Sequence, residues 1–283
     1  MEGLYFNSSS QNQSYDYSNT TSNYFEPNVI YVVIYIIVAV GLPLTLVAIY
    51  ALYSMVRRDQ VAPIYVINLL ITDILQFCYM IVEVVPNVYG TISIYEIFYC
   101  IYLSALLASV YFMVCISLER YLVIAHPLWY RFRRTIKTSV VVCVLVWVLT
   151  PLFLFISWFY GEHPDSLAVV LLLPFPLLIF SLVGTLKALS ASISVPSDEK
   201  RRIVGILVLV LLIYSLLFLP YIILILKVKY HPPLNRLSLI FIRFSPLADL
   251  FLYVFMRKGF IDKLLASVCC CRMDSNDISR PSV

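Results

Sequence analysis

Residues 115–134 read Cys115-Ile-Ser-Leu-Glu119-Arg120-Tyr121-Leu-Val-Ile-Ala-His126-Pro127-Leu128-Trp-Tyr-Arg131-Phe-Arg133-Arg134. An acid and an arginine stand side by side near the end of a long apolar run that begins around Ile94, and a proline and a basic cluster follow. A charge pair deep in hydrocarbon is very costly. The pair therefore belongs at a membrane edge, with Arg131, Arg133 and Arg134 in cytoplasmic water. The plainest account of it is an interfacial ion pair that anchors a helix end.

Composition agrees with a membrane setting. Of 283 residues, 61% are hydrophobic and 13% charged, with a mean hydropathy of +0.91. A water-soluble domain carries roughly a quarter charged residues. Stretches near 28–56, 62–86, 94–125, 136–159, 166–189, 203–226 and 234–256 are each long and apolar enough to span a bilayer, which needs about 20 helical residues. Alternating polar strands, the mark of a membrane barrel, are absent. The fold expected is an all-α membrane protein, a seven-transmembrane helix bundle over 28–256.

Charge distribution orients the bundle. No Lys or Arg precedes Arg57, and basic residues then gather in alternate loops: Arg57 and Arg58, Arg131 to Lys137, Lys187 and Lys200 to Arg202, and the tail from Arg257. By the positive-inside rule the N-terminus is outside and the C-terminus inside. The net charge of +4 is no nucleic-acid signal, because it is spread over membrane loops.

The flanks carry modification signals. Residues 1–27 lack the apolar run of a cleavable signal peptide and read as a disordered outer tail. Asn7, Asn12 and Asn19 each open an Asn-x-Ser/Thr glycosylation acceptor. Residues 257–271 read as a short amphipathic helix inside the cell, with Phe260, Ile261, Leu264 and Leu265 on one face, closed by Cys269, Cys270 and Cys271. Those cysteines are palmitoylation candidates, and residues 272–283 read as a disordered cytoplasmic tail.

Several motifs share one pattern. Glu119-Arg120-Tyr121 is followed after five residues by Pro127-Leu128. Span two holds Asn68-Leu-Leu-Ile-Thr-Asp73, and span four Trp147 with Pro151. Span six holds Tyr214-Ser-Leu-Leu-Phe218-Leu219-Pro220, and span seven Asp249-Leu250-Phe-Leu-Tyr253. Together they resemble the rhodopsin-like (class A) G-protein-coupled receptors, nearest the branch of purinergic, lipid and proton-sensing receptors. The chain departs from that pattern at Thr45, at Leu182, at Leu250 where the span-seven proline is expected, and at Tyr95 where an outer cysteine is expected. All seven cysteines fall in spans or the inner tail, so no outer disulfide is expected.

The resemblance implies roles. Glu119, Arg120, Tyr121, Pro127, Leu128 and Tyr253 would form the G-protein-coupling switch. Tyr214, Phe218 and Pro220 would form a hinge in span six, since a proline removes one backbone hydrogen bond. Asp73, Ser109, Ser245 and Asp249 would surround an internal sodium ion. Two close carboxylates cannot both ionise cheaply, so a sodium ion, a shared proton or a wet polar cluster without a specific ion are all open. No other cofactor is expected. The expected partners are a heterotrimeric G protein, membrane lipids and an unknown extracellular ligand, with no nucleic acid, at the plasma membrane.

Glu83 lies ten residues outward of Asp73, and Arg243 six residues outward of Asp249. They either meet each other, or Arg243 meets an anionic ligand head group. Outer aromatics Tyr89, Tyr95, Tyr99, Tyr102, Tyr111 and Tyr221 are packing or interfacial belt in the first instance. Tyr99, Tyr102 and Phe218 are chosen as pocket lining beside Glu83 and Arg243. No enzyme signature occurs: no zinc-spaced histidines, phosphate loop or nucleophile elbow. Two other functions remain, an ion channel or transporter using the intramembrane acids, and a receptor-like protein without signalling.

Overall fold

The computed structural model describes residues 27–56, 64–85, 92–126, 136–159, 165–191, 197–226 and 232–256. The glycosylation acceptors, Pro127, Leu128, the amphipathic segment after Met256 and the tail cysteines lie outside these residues. The described helices are α1 Pro27–Val56, α2 Ile64–Val84, α3 Ile92–Ala125, α4 Ile136–Phe159, α5 Asp165–Leu172, α6 Pro174–Ala191, α7 Ser197–Leu226, α8 Pro232–Arg243 and α9 Ser245–Met256. Six stretches are long and apolar enough to cross a membrane, and α8 with α9, bent by 40°, completes a seventh.

Helix α3 is the axis of the bundle, packing against α2, α4, α6 and α7. Its 34 residues rise about 51 Å at 1.5 Å each, more than the roughly 30 Å of hydrocarbon. The surplus carries Arg120 toward the inner interface. From Ala105 to Ser117 nearly every side chain of α3 is buried, because neighbours cover it on all sides. Helix α4 is the opposite case. Val141, Leu145, Val148, Leu152 and Phe155 face outward, and among its described residues Cys143 and Thr150 are the side chains it buries. Trp147 donates its Nε1–H to Asn68 Oδ1 at 2.9 Å, tying α4 to α2. An indole N–H in hydrocarbon needs such a partner.

Spans five and seven, expected as single helices, are each broken, at Leu173 and at Phe244. Proline explains both. Pro174 and Pro246 lack an N–H, so each leaves the carbonyl four residues before it without its helical donor. Before Pro246 the backbone tightens, with Phe244 N–H donating to Phe241 O at 3.1 Å, and Ala248 N–H to Phe244 O at 3.0 Å resumes the α pattern. The proline missing at Leu250 is thus replaced, as a bend, by one four residues earlier. Pro43 and Pro220, by contrast, sit inside unbroken helices.

Two close approaches require glycine. A Cβ on Gly41 would lie 2.5 Å from the buried Phe77 ring, and one on Gly184 would lie 2.6 Å from Tyr121. The second contact seats the tyrosine after Arg120 flat against α6, edge-on to Phe180 at 5.4 Å between centroids. Ser117 and Ser181, hydrogen-bonded to each other, close the same α3–α6 seam one turn deeper.

Candidate functional site

Helix α2 and span seven run antiparallel and meet in three rungs. The innermost is Asp73 against Asp249, both with no exposed surface. None of their four carboxylate oxygens takes a hydrogen bond from another described group. One turn outward, Ser245 Oγ donates to Gln76 Oε1 at 3.4 Å. Outermost, Arg243 grips Glu83 with both terminal nitrogens, Nη2 to Oε1 at 2.6 Å and Nη1 to Oε2. Of the two alternatives for Arg243, the structure shows the internal pair.

The inner rung gathers hard oxygen donors in a closed, low-dielectric place. That chemistry suits a small cation or a proton held between two carboxyls. Ser245 adjoins the cluster through its own turn of α9. Ser109 is buried on α3, and its hydroxyl donates to Leu106 O of its own helix at 2.9 Å. Gln76 was not singled out from sequence, because a glutamine in an apolar helix carries no spacing signal. Asp73 three residues before it is the only hint.

Above the outer rung lies a cavity of about 310 Å³, lined by Tyr79, Tyr95, Tyr99, Tyr102 and Tyr221, by Glu83 and Arg243, and by leucines and an isoleucine. Tyr79 is the centre of this wall, its ring 4.6 Å from that of Tyr102, 5.9 Å from Tyr99 and 6.0 Å from Tyr95. Sequence reading missed it, since the other tyrosine of span two, Tyr65, lies about four turns inward, too far to pair with it. One expectation needs correction. Phe218 is not part of this lining. It is fully buried, stacked on Tyr214 at 5.3 Å, and Tyr221, one turn outward, takes the place. Tyr111, read as packing or belt, lies outside the lining, and its hydroxyl reaches Val170 O on α5 at 3.5 Å.

At the inner end Arg120 is half-buried, and its buried Nε makes no hydrogen bond. Tyr121 is fixed by α6 as described, and Tyr253 on α9 is buried with an unpartnered hydroxyl. Two basic residues at the start of α7 reach backbone carbonyls: Lys200 Nζ donates to Leu189 O on α6 at 3.2 Å, and Arg202 Nη2 donates to Met256 O at the end of α9. Nothing in the sequence pattern pointed to these bonds, because a carbonyl acceptor has no residue letter.

A helical membrane bundle with a cavity at its outer end and an arginine at its inner end is the architecture of a transmembrane receptor. Residues 44–166 match the family described as 7 transmembrane receptor (rhodopsin family). The rat (Rattus norvegicus) free fatty acid receptor 3 is 27% identical over 220 residues, 64% of this chain and 67% of that protein. The mouse (Mus musculus) G-protein coupled receptor 68 is 25% identical over 267 residues, 80% of this chain and 73% of the other. The rabbit (Oryctolagus cuniculus) type-1 angiotensin II receptor is 30% identical over 125 residues, 41% of this chain and 34% of that receptor. Over these stretches the chain is similar to the rhodopsin-like, class A G-protein-coupled receptors, and it is a multi-pass protein of the plasma membrane.

Proposed function

We propose that the outer cavity is the ligand site, and that occupancy is passed through the α2–span seven ladder and the aromatic pair Tyr214–Phe218 to Arg120. Helix α7 then swings about Pro220 and opens an inner cleft for a heterotrimeric G protein. The observation that carries this reading is placement. The cavity draws its walls from α2, α3, α5, α7 and α8, and the inner ends of α3 and α7 carry Arg120, Lys200 and Arg202. A displacement at one end of these rigid helices is a displacement at the other. We assign the chain no enzymatic activity of its own.

The test is a panel of G-protein activation reporters in cells, comparing the protein with Arg120→Ala at matched surface level, first without ligand and then across pH. Removing a cation that makes charge-assisted hydrogen bonds should lower the signal by about tenfold or more. An unchanged signal in every reporter would sink the coupling role of Arg120.

For the inner rung we propose that Asp73 and Asp249, with Ser245 beside them, hold a sodium ion that stabilises the resting bundle. When bound, sodium offsets the repulsion of two adjacent carboxylates. Thermal unfolding of the purified receptor should therefore shift upward when sodium replaces choline. Asp249→Asn should abolish that dependence and, in sodium-free buffer, gain about 1–3 kcal/mol from losing a buried charge without a partner. A wild type indifferent to sodium but sensitive to pH would replace the ion by a shared proton. Indifference to both would leave no ion there.

A further inference from the structure

We propose that the outer cavity takes a small amphiphile of net charge zero whose head presents an acceptor oxygen, and that Glu83 sets this selectivity by occupying Arg243. This rests on the reading of the cavity as the ligand site and adds the chemistry of what enters it.

The charge argument comes first. Glu83 and Arg243 are the charged side chains of the lining, and they neutralise each other. Their side chains are 14% and 15% exposed, so the pair sits at the cavity floor rather than in open water. A ligand with a net charge would lose its hydration there and meet no free counter-charge among the described residues of the lining. To find one it must open the pair, leaving a second charge buried without a partner, which is strongly unfavourable. A carboxylate and an ammonium are excluded for the same reason, by opposite members of the pair.

The second argument is the hydrogen-bonding inventory. Tyr79 and Tyr95 engage each other, hydroxyl to hydroxyl, at 3.0 Å. Tyr102 is only 7% exposed, lines the cavity, and its hydroxyl bonds to no described residue. A tyrosine hydroxyl lining the cavity is a donor that an incoming oxygen can accept from. Arg243 has five N–H groups and gives two to Glu83, so N–H groups remain on the same guanidinium. What the floor offers is donors, and what it accepts is a carbonyl, ester, amide or ether oxygen. Leu103, Leu106, Leu167, Leu239 and Ile242 line the rest, which fits a short apolar tail. The volume of about 310 Å³ is at the small end for ligand sites, which begin at roughly 300 Å³.

The experiment uses the full chain in nanodiscs of uncharged lipid, with hexanamide, hexanoate and hexylammonium as probes of one tail and three charges. Binding is read by the shift of the unfolding midpoint with concentration. Wild type should bind hexanamide, and hexanoate and hexylammonium at least tenfold more weakly. Glu83→Gln should bind hexanoate roughly tenfold or more tightly than wild type does, because Arg243 is released. Arg243→Gln should show the reciprocal gain for hexylammonium. Equal binding of hexanamide and hexanoate by wild type, no hexanamide binding at all, or no gain of the matching ion in a folded single variant each overturns the proposal. If neither variant folds, the wild-type comparison decides. Leu239→Trp, which fills the cavity from an exposed position, separates the two layers. Hexanamide binding that survives it removes the cavity as the ligand site. Binding that it blocks, with hexanoate equal to hexanamide in wild type, removes the charge selectivity alone.

Discussion

Reversing Glu83 to arginine, or Arg243 to glutamate, should clear most of the receptor from the cell surface, and reversing both together should return it. The pair is bidentate and half-sealed between α2 and the last residue of α8. Removing one partner of such a pair costs about 3–5 kcal/mol, since the other charge stays buried. That is a large share of the roughly 5–15 kcal/mol by which a domain is stable. The location adds to the effect. Arg243 is adjacent to the break at Phe244, where the backbone of span seven is bent by 40°. The ion pair is a side-chain fastening at that break, so its loss frees the outer half of the span from α2. Surface labelling of an outer epitope tag reads the result. A double reversal as poorly displayed as either single reversal would show that the two residues act separately.

Arg202→Gln should raise ligand-free activation, with the inner end of α7 standing further from α3. Its guanidinium donates to the carbonyl of Met256, in the last turn of α9, while Lys200 donates to Leu189 near the end of α6. Both acceptors belong to the carbonyl groups that a helix end leaves without intrahelical partners, where a cation is also favoured by the helix dipole. The start of α7 is thus stapled to its neighbours on two sides. A hydrogen bond to a charged group contributes about 1.5–3 kcal/mol, so losing one shifts a two-state population by roughly tenfold or more. Because Arg202 also lies where a G protein would dock, spin-label distances between α7 and α3 without G protein are the primary measurement. Nucleotide exchange is the secondary one. An unchanged distance distribution in a well-expressed variant would show that the staple does not hold the resting state.

Much of the candidate site could be read in one dimension. Asp73, Arg120 and Asp249 were legible because a charged residue in an apolar helix has few tolerable places, all of them inward or at an edge. Glu83 and Arg243 were legible as a possible couple by counting turns from those acids. The wall around the cavity was legible only in part. Tyr99 and Tyr102 repeat at helical spacing on one span, whereas Tyr79 joins them from another. Phe218 shares their chemistry but sits one turn too deep.

By itself, then, the sequence set seven stretches apolar enough to cross a membrane, the bias of basic residues toward alternate loops, and which few polar residues must turn inward. Those follow from transfer costs that each residue carries wherever it stands. Only the tertiary structure decided that Arg243 closes on Glu83 and that Gly184 admits the Tyr121 ring. It alone showed that span seven bends at Phe244, and that Lys200 and Arg202 end on carbonyl oxygens. Such contacts depend on where one helix lies against another, and no pattern within a single helix encodes that distance.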